Sequence, residues 1–228
     1  MTRPAAPAQR GSRTLMIGVI AIAVVISILA VGVAVQYWRT HSEVTVDNPG
    51  AAEPAVITGP GTDGKGVTVG KEGARSHIEV YLDYRCSHCK EFEDQNGKTL
   101  NELVDSGAAK LTYYPMTFVS NDSPRLANAF ACAAAAGKPR SYNDALYADF
   151  VKAWTTDQLI DLGRKLGIGD DNFEQCVRQD KYAQWLQSVG KAAEARGVQG
   201  TPTVFVNGTQ LSEDQLTPEA IRTAAGVS

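Results

Sequence analysis

Two cysteines three positions apart, Cys86 and Cys89, are the residues of this chain whose types and spacing could do chemistry. Ser87 and His88 lie between them. The thiolate is the reactive form of cysteine, and a protonated His88 would favour it. Two thiols at this spacing can close a reversible disulfide, so the pair predicts thiol–disulfide exchange.

The elements on either side would position this pair. Ile78, Val80 and Leu82 alternate with more polar neighbours, which predicts a strand over 78–83. The residues from Lys90 onward are typical of a helix. Cys86 is therefore expected where a strand gives way to a helix N-terminus, where unpaired N–H groups and the helix dipole favour a thiolate.

A structural zinc site uses the same cysteine spacing and is the alternative to a redox dithiol. It needs two further ligands. Cys132 and Cys176 could supply them, but they are far apart and neither belongs to a second close pair. A purely structural Cys86–Cys89 bridge is disfavoured because so tight a ring suits exchange better than bracing. We therefore predict no metal site, and a non-catalytic zinc-binding module is the less favoured alternative.

The charge distribution is uneven. The 228 residues carry a net charge of −3, but residues 1–39 hold four arginines and no acid, which leaves −7 on the remainder. So acidic a body argues against nucleic acid as a partner.

Residues 15–37 form an uncharged, almost wholly apolar run of 23 residues. This length exceeds the roughly 20 residues that span a bilayer. Because arginines precede the run, the positive-inside rule predicts that residues 1–14 lie in the cytoplasm and that the chain after the run lies outside the cell membrane. The sequence thus predicts a signal anchor in the cell membrane. A cleaved signal peptide, with a weak cleavage site at 30–32, is the alternative. Either way the body reaches a compartment where disulfides persist.

Residues 38–65 are predicted to be a flexible linker, since glycine, proline and alanine dominate from Asp47 on without apolar periodicity. Beyond them strand and helix patterns follow in a definite order. The further predicted elements are a short first strand at 67–69, a helix to Ser106 that ends at Gly107, a strand at 110–114, a helix N-capped by Ser123, a helix from Ser141 to about 153, a helix opened by a capping box of Thr155 and Gln158, helices from Asp171 and Tyr182, a hairpin turning at Asn207–Gly208, and a last helix after Thr217. This order predicts an α/β sheet interrupted by helices.

The stretch DYRCSHCKEF over 83–92, together with Gly200-Thr201-Pro202-Thr203 before a hairpin, resembles the DsbA-like thiol–disulfide oxidoreductases of the thioredoxin superfamily, and most of all their membrane-anchored actinobacterial members. The resemblance covers about 66–228. It implies a thioredoxin fold over 66–122 and 182–228 with a helical insert at 123–181. It also implies that Pro202 is cis against the dithiol and that Thr201 and Pro202 position the substrate.

Four positions near the dithiol qualify the resemblance. Ser87 stands where the family commonly has proline, and Val80 stands where many relatives have a buried acid that assists proton transfer at the second cysteine. Glu79 is expected to face the other side of the strand. Asp83 matches the family, although we expect a solvated acid at the strand end.

The remaining cysteines, Cys132 and Cys176, fall on predicted insert helices. An even cysteine count in an exported domain suggests pairing. Some actinobacterial relatives have a disulfide in this insert, so the resemblance favours a structural Cys132–Cys176 disulfide.

The expected function is an exported, membrane-tethered dithiol oxidase that introduces disulfides into reduced exported proteins. Substrate attack at Cys86 displaces Cys89, and His88 stabilises the Cys86 thiolate. The resemblance implies a membrane quinone-linked reoxidising partner of the VKOR or DsbB type, and no metal or organic cofactor. A reductase or isomerase on the same fold is the main alternative.

Overall fold

The computed structural model describes residues 11–41 and 52–227, and the chain divides into two compact units at residues 43 and 44. Most of the predicted cytoplasmic segment 1–14, and residues 42–51 of the predicted linker, lie outside the described residues.

The first unit contains one helix, α1, Gly11–His41. Within it, the 19 residues Val19–Tyr37 are long and apolar enough to cross a membrane, and their side chains are exposed. At 1.5 Å per residue they extend about 28 Å, close to the thickness of a bilayer's hydrocarbon core. By length and composition this helix fits the predicted span.

The second unit is built on one six-stranded sheet in the order β1-β2-β4-β3-β5-β6. Strand β3 runs parallel to β4, whereas the other neighbouring strands are antiparallel. β3 lies inside the sheet and is buried along most of its length, which explains its apolar residues. The strands are β1 Val56–Thr58, β2 Val67–Val69, β3 Ser76–Leu82, β4 Ala109–Pro115, β5 Thr203–Val206 and β6 Thr209–Gln210.

Seven helices accompany the sheet in the second unit's described residues. Four of them, α3 to α6, follow β4 and pack on one another, while α2 and α7 contact β4 and α8 packs on α2. The helices are α2 Ser87–Ser106, α3 Ser123–Ala135, α4 Pro139–Ala148, α5 Thr156–Lys165, α6 Asp171–Arg178, α7 Ala183–Ala195 and α8 Pro218–Ala224; a 3₁₀ turn spans Glu213–Gln215.

The disulfide of the structure joins α3 to α6 through Cys132 and Cys176, which lie 44 positions apart. Both cysteines are buried. The bridge therefore ties together the first and last of the four helices between β4 and α7.

Several local predictions are confirmed. Thr155 caps α5 in a reciprocal box with Gln158, and Gly107 ends α2 in the left-handed conformation at φ 77°. Asn207 and Gly208 both have positive φ, as the tight hairpin between β5 and β6 requires.

Three local predictions are wrong. Part of the expected flexible linker forms strand β1, which pairs with β2, so 67–69 is the second strand rather than the first. Helix α4 ends at Ala148 instead of near 153, and a turn leads to the buried Trp154. Asp122, not Ser123, precedes α3 as its N-cap; the Ser123 hydroxyl accepts from the Ser120 N–H at 3.1 Å and donates to Asp83 at 2.7 Å, so both of its contacts lie outside the helix.

Candidate active site

The dithiol lies at the N-terminal end of α2, just after the turn that follows β3. Cys86 is the N-cap residue of α2, with the extended backbone typical of that position, and its carbonyl accepts from Lys90 N–H. Both Cys86 and Cys89 are free thiols; Cys86 is 7% exposed and Cys89 1%. Cys86 is therefore the thiol nearer to solvent, and Cys89 lies behind it, one turn into the helix.

The loop before β5 brings Thr201 against this pair. The Cys86 thiol donates to the Thr201 carbonyl at 3.1 Å, and the Thr201–Pro202 bond is cis. The buried Thr201 hydroxyl has no hydrogen-bond partner among the described residues in this dithiol state. It is available to donate once Cys86 loses its proton.

The pKa values of the two thiols are shifted in opposite directions. When Cys86 is a thiolate, it can accept hydrogen bonds from the Cys89 thiol and the Thr201 hydroxyl, and from the backbone N–H groups of Cys89 and His88. These outweigh desolvation and lower the pKa of Cys86 to about 5. The hydrogen bond to Cys86 and burial both raise the pKa of Cys89 well above its ordinary value. Near neutral pH the pair therefore holds one thiolate, at Cys86, and one thiol.

His88 contributes to this site through its backbone. Its side chain is 74% exposed, and Nδ1 lies 3.3 Å from a carboxylate oxygen of Glu91. Its N–H group is among the donors that favour the Cys86 thiolate. The imidazole points toward solvent and Glu91, so any effect of its charge on Cys86 is weakened by screening.

Asp83 is buried and not a solvated strand-end acid, so that expectation is wrong. It is 0% exposed. Its carboxylate accepts from the Arg85 N–H at 2.9 Å and the Ser123 hydroxyl at 2.7 Å. It also accepts from the N–H groups of Phe118 at 3.1 Å and Val119 at 3.2 Å. Asp83 thus joins the turn before Cys86 to the start of α3.

Arg85, next to the reactive cysteine, was not singled out by the sequence. Its guanidinium donates to Asp122 at 2.9 and 2.6 Å and to the carbonyls of Phe150 and Lys152, each at 2.9 Å. Desolvation opposes the effect, yet hydrogen bonds from Arg85 and Ser120 hold the pKa of Asp122 below its ordinary value. Arg85 therefore fixes the turn that presents Cys86 against the loop after α4.

Glu79, which is buried, and Arg196, whose side chain is 32% exposed, form a second ion pair that the sequence did not reveal. Arg196 donates to both carboxylate oxygens, at 2.6 and 2.8 Å, and lies 3.9 Å above the Phe205 ring. Although desolvation opposes it, Arg196 keeps the pKa of Glu79 below its ordinary value. Since α7 leads into the loop that carries Thr201, this pair anchors the start of that loop to the sheet.

Val80, where many relatives have an acid, is buried and apolar. Glu93 lies one helical turn beyond Cys89 and accepts from Asn143 Nδ2 at 3.0 Å. Desolvation and the nearby Asp144 raise the pKa of Glu93 to about 8. Glu93 follows Cys89 by four positions, which places the two residues on one face of α2. This spacing is the signal in the sequence that could have identified Glu93 as an acid near the dithiol.

A groove of about 570 Å³ opens beside the dithiol. Its floor includes the buried Phe92 and Leu211. The groove is lined by His88, Glu91, Phe92 and Gln95 of α2, by residues 200–203, and by residues 210–214, Leu216 and Thr217. The cis Thr201–Pro202 bond thus forms one wall, next to the Cys86 thiol.

The zinc alternative finds little support in this geometry. Within residues 11–41 and 52–227, no group of three or more histidine, cysteine or acidic side chains is placed to hold a metal. Cys132 and Cys176 are bonded to each other, so they offer no thiolates to complete a site with Cys86 and Cys89.

Comparison with known proteins places this geometry in a family. The family model described as Thioredoxin matches residues 62–225. The thiol:disulfide interchange protein DsbA of Yersinia pestis is 24% identical over 183 residues, which cover 78% of this chain and 77% of the relative.

Solved structures give the same result. The thiol–disulfide oxidoreductase MdbA of Corynebacterium diphtheriae superposes with a TM-score of 0.64 at 16% identity, covering 79% of this chain and all of that one. Reduced DsbA of Mycobacterium tuberculosis superposes with a TM-score of 0.54 at 26% identity, covering 69% and 93%. The expected thioredoxin fold is confirmed, and the chain belongs to the thioredoxin family as a DsbA-like thiol–disulfide oxidoreductase.

Proposed function

We propose that this protein is an extracytoplasmic dithiol oxidase that introduces disulfides into exported proteins. The observation that carries the proposal is the position of Cys86, at the N-cap of α2 and against the Thr201 loop, with the more deeply buried Cys89 one turn behind it. This arrangement lowers the pKa of Cys86 to about 5 and raises that of Cys89. A stabilised thiolate stabilises the reduced enzyme, which makes its disulfide the stronger oxidant.

The reaction begins with the Cys86–Cys89 disulfide. A substrate thiolate attacks Cys86 Sγ, the bond between the two enzyme sulfurs breaks, and Cys89 leaves and takes up a proton, as its raised pKa favours. The second substrate thiolate then attacks the substrate sulfur of the mixed disulfide. Cys86 leaves as a thiolate, so the substrate has lost two electrons and the enzyme has gained them.

His88, Thr201 and Pro202 support this exchange. His88 donates its N–H toward the Cys86 thiolate, and its imidazole adds to the effect when protonated. Thr201 offers a hydroxyl to the same sulfur. Pro202 has no N–H, and together with Thr201 it shapes the wall along which an extended substrate chain docks.

The proposal includes the placement of the enzyme, for which α1 is the support. We propose that 15–37 anchors the chain in the cell membrane, that 1–14 is cytoplasmic, and that 66–122 and 182–228 act as the catalytic thioredoxin-like domain around the insert at 123–181. The length and composition of Val19–Tyr37 support this arrangement. Reoxidation of Cys86 and Cys89 by a membrane quinone-linked protein of the VKOR or DsbB type completes the cycle.

The decisive experiment is the redox potential of the Cys86–Cys89 couple, measured against glutathione with the full chain. We expect a value above the roughly −270 mV of thioredoxin. The Cys132→Ser/Cys176→Ser variant is the matched control, because only the dithiol remains in it. A potential equal to that of thioredoxin would contradict the oxidase assignment and favour a reductase, while rapid reshuffling of scrambled disulfides would favour an isomerase.

A further inference from the structure

The groove beside the dithiol has a one-sided charge. Three acids line it, Glu91 from α2 and the neighbouring Glu213 and Asp214 from the 3₁₀ turn, and all three are exposed. None of its lining residues is lysine or arginine. The groove therefore presents negative charge around an apolar floor.

These charges are poorly neutralised within the chain. In the described part of the chain, Glu213 and Asp214 form no ion pair, and Asp214 only accepts from the Ser212 hydroxyl at 2.6 Å. The ion-pair partner of Glu91 is His88, whose ring lies 3.3 Å away and is charged only when protonated. The carboxylates of Glu213 and Asp214 are thus available to cationic groups from outside.

The position of the groove determines what these acids meet. Thr201 lines it and accepts from the Cys86 thiol at 3.1 Å. A substrate whose cysteine reaches Cys86 along this wall must lay its adjacent residues in or across the groove. The rim charges therefore act on side chains close in sequence to the reacting cysteine.

We propose that the groove selects substrate cysteines flanked by lysine or arginine over those flanked by acids. The proposal rests on the proposed exchange reaction at Cys86 and adds its substrate class. Exposed charges steer association more than they tighten the bound complex, so the preference belongs in the association rate and weakens with salt.

The test uses full-length protein in non-ionic detergent with Cys89→Ser, which leaves Cys86 as the attacking thiolate. The probes are three peptides with one cysteine each, flanked by lysines, glutamines or glutamates and held as mixed disulfides with thionitrobenzoate. Attack of Cys86 on the peptide sulfur forms the enzyme–peptide disulfide and releases the coloured thionitrobenzoate anion. Atoms and electrons balance without a further oxidant.

We expect the second-order rate with the lysine peptide to exceed that with the glutamate peptide by about tenfold at low salt. The ratio should fall to within about twofold at roughly 0.5 M salt. Because each ratio is taken within one enzyme variant and normalised to the reaction of the same peptides with 2-mercaptoethanol, which carries no charge besides its thiolate, differences in the intrinsic reactivity of the peptide disulfides cancel.

Two variants separate the groove from the general acidity of the chain. The groove variant, Glu91→Gln with Glu213→Gln and Asp214→Asn, should bring the low-salt ratio to within about twofold. The matched variant removes three exposed acids outside the groove, Asp63→Asn, Glu72→Gln and Asp171→Asn, and should keep the full ratio.

A ratio near one in the parent, or a ratio that survives in the groove variant, overturns the proposal. The exchange measured here does not depend on redox direction. A redox potential like that of thioredoxin, together with a roughly tenfold preference for the lysine peptide, would therefore contradict only the oxidase assignment. An oxidising potential, together with equal rates for the lysine and glutamate peptides, would contradict only the proposed substrate class.

Discussion

Cys86 owes its acidity to groups from two distant parts of the chain, the first turn of α2 and the loop before β5. We expect its alkylation rate to rise with pH to a plateau, half-maximal near the pKa of about 5. Cys89 should stay unreactive through neutral pH because its pKa is raised and it is 1% exposed. Mass mapping after iodoacetamide pulses at several pH values checks both. A Cys86 midpoint near the roughly 8.5 of a free thiol would contradict the site as described.

The same pKa predicts how stability depends on pH. The folded pKa of Cys86 is depressed, so the thiolate contributes stability that is fully present above the unfolded pKa and is lost as pH falls through about 5. The melting temperature of the reduced protein should therefore fall relative to that of the oxidised protein as the pH is lowered from about 8, near the pKa of a free thiol, to about 5. Comparing the two redox forms cancels the effect of the other acids, which both share. A difference in melting temperature that does not change with pH would contradict this.

Asp83 gives a second prediction at this scale. Asp83→Asn keeps the shape but replaces one accepting oxygen with a donor, so at least one of the surrounding N–H or O–H groups loses its acceptor. We expect the free energy of unfolding to fall by about 1–3 kcal/mol in urea denaturation. Asp94→Asn, at a side chain 62% exposed, is the control and should change it by less than about 1 kcal/mol.

The sequence could predict the dithiol but not the groups that hold it. Cys86 and Cys89 are visible because their spacing is local and their chemistry is rare. Asp83 looked like a solvated acid because its four donors come partly from residues 35 to 40 positions away. Glu79 and Arg196 are 117 positions apart, and no local pattern links them.

Among the elements, two helical glycines differ in what surrounds them. A Cβ on Gly163 of α5 would lie 2.1 Å from the Phe173 ring of α6, whereas a Cβ on Gly190 of α7 meets nothing within 4 Å. Gly163→Ala should therefore destabilise the protein by about 1–3 kcal/mol through overpacking. Gly190→Ala is the matched control and should be neutral or stabilising by up to about 1 kcal/mol. Equal effects in thermal denaturation would contradict this packing.

The Cys132–Cys176 bridge gives the other prediction for the elements. It closes a loop of 44 positions, and the chain-entropy estimate assigns such a loop about 4 kcal/mol. Cys132→Ser with Cys176→Ser should lower the free energy of unfolding by up to that amount and leave exchange at Cys86 intact. Gentle reduction, followed by alkylation of the unfolded chain, should label Cys86 and Cys89 and leave Cys132 and Cys176 bonded to each other. Ready labelling of Cys132 in the oxidised protein would contradict the pairing.

Helix ends and turns were predictable from the sequence where residues close together in the chain determine them. The Thr155–Gln158 box and the Asn207–Gly208 turn each lie within four residues, and both are confirmed. Strand β1 was missed because three residues carry no periodic signal, and its regular structure depends on pairing with β2. The end of α4 was missed because tertiary contacts, including those of Arg85 to the carbonyls of Phe150 and Lys152, set the turn after Ala148.

At the scale of the whole molecule, α1 gives a prediction for the proposed membrane anchor. The exposed apolar span Val19–Tyr37 predicts that the full chain stays in the membrane pellet after high-salt and alkaline washing. A chain without residues 15–37 is the control and should be recovered in the soluble fraction. A mature soluble form beginning near residue 33 would instead favour a cleaved signal peptide.

The lengths of the two edge strands of the sheet affect how readily it can pair with other polypeptide chains. The edge strands β1 and β6 are only three and two residues long. Long unpaired edges template intermolecular sheet growth, and short ones offer few free N–H and C=O groups for it. An enzyme with the proposed function meets unfolded, extended substrate chains and is exposed to this hazard at every encounter. The short edge strands confine backbone pairing with such chains to a few residues, so we expect them to limit co-aggregation of the enzyme with its substrates.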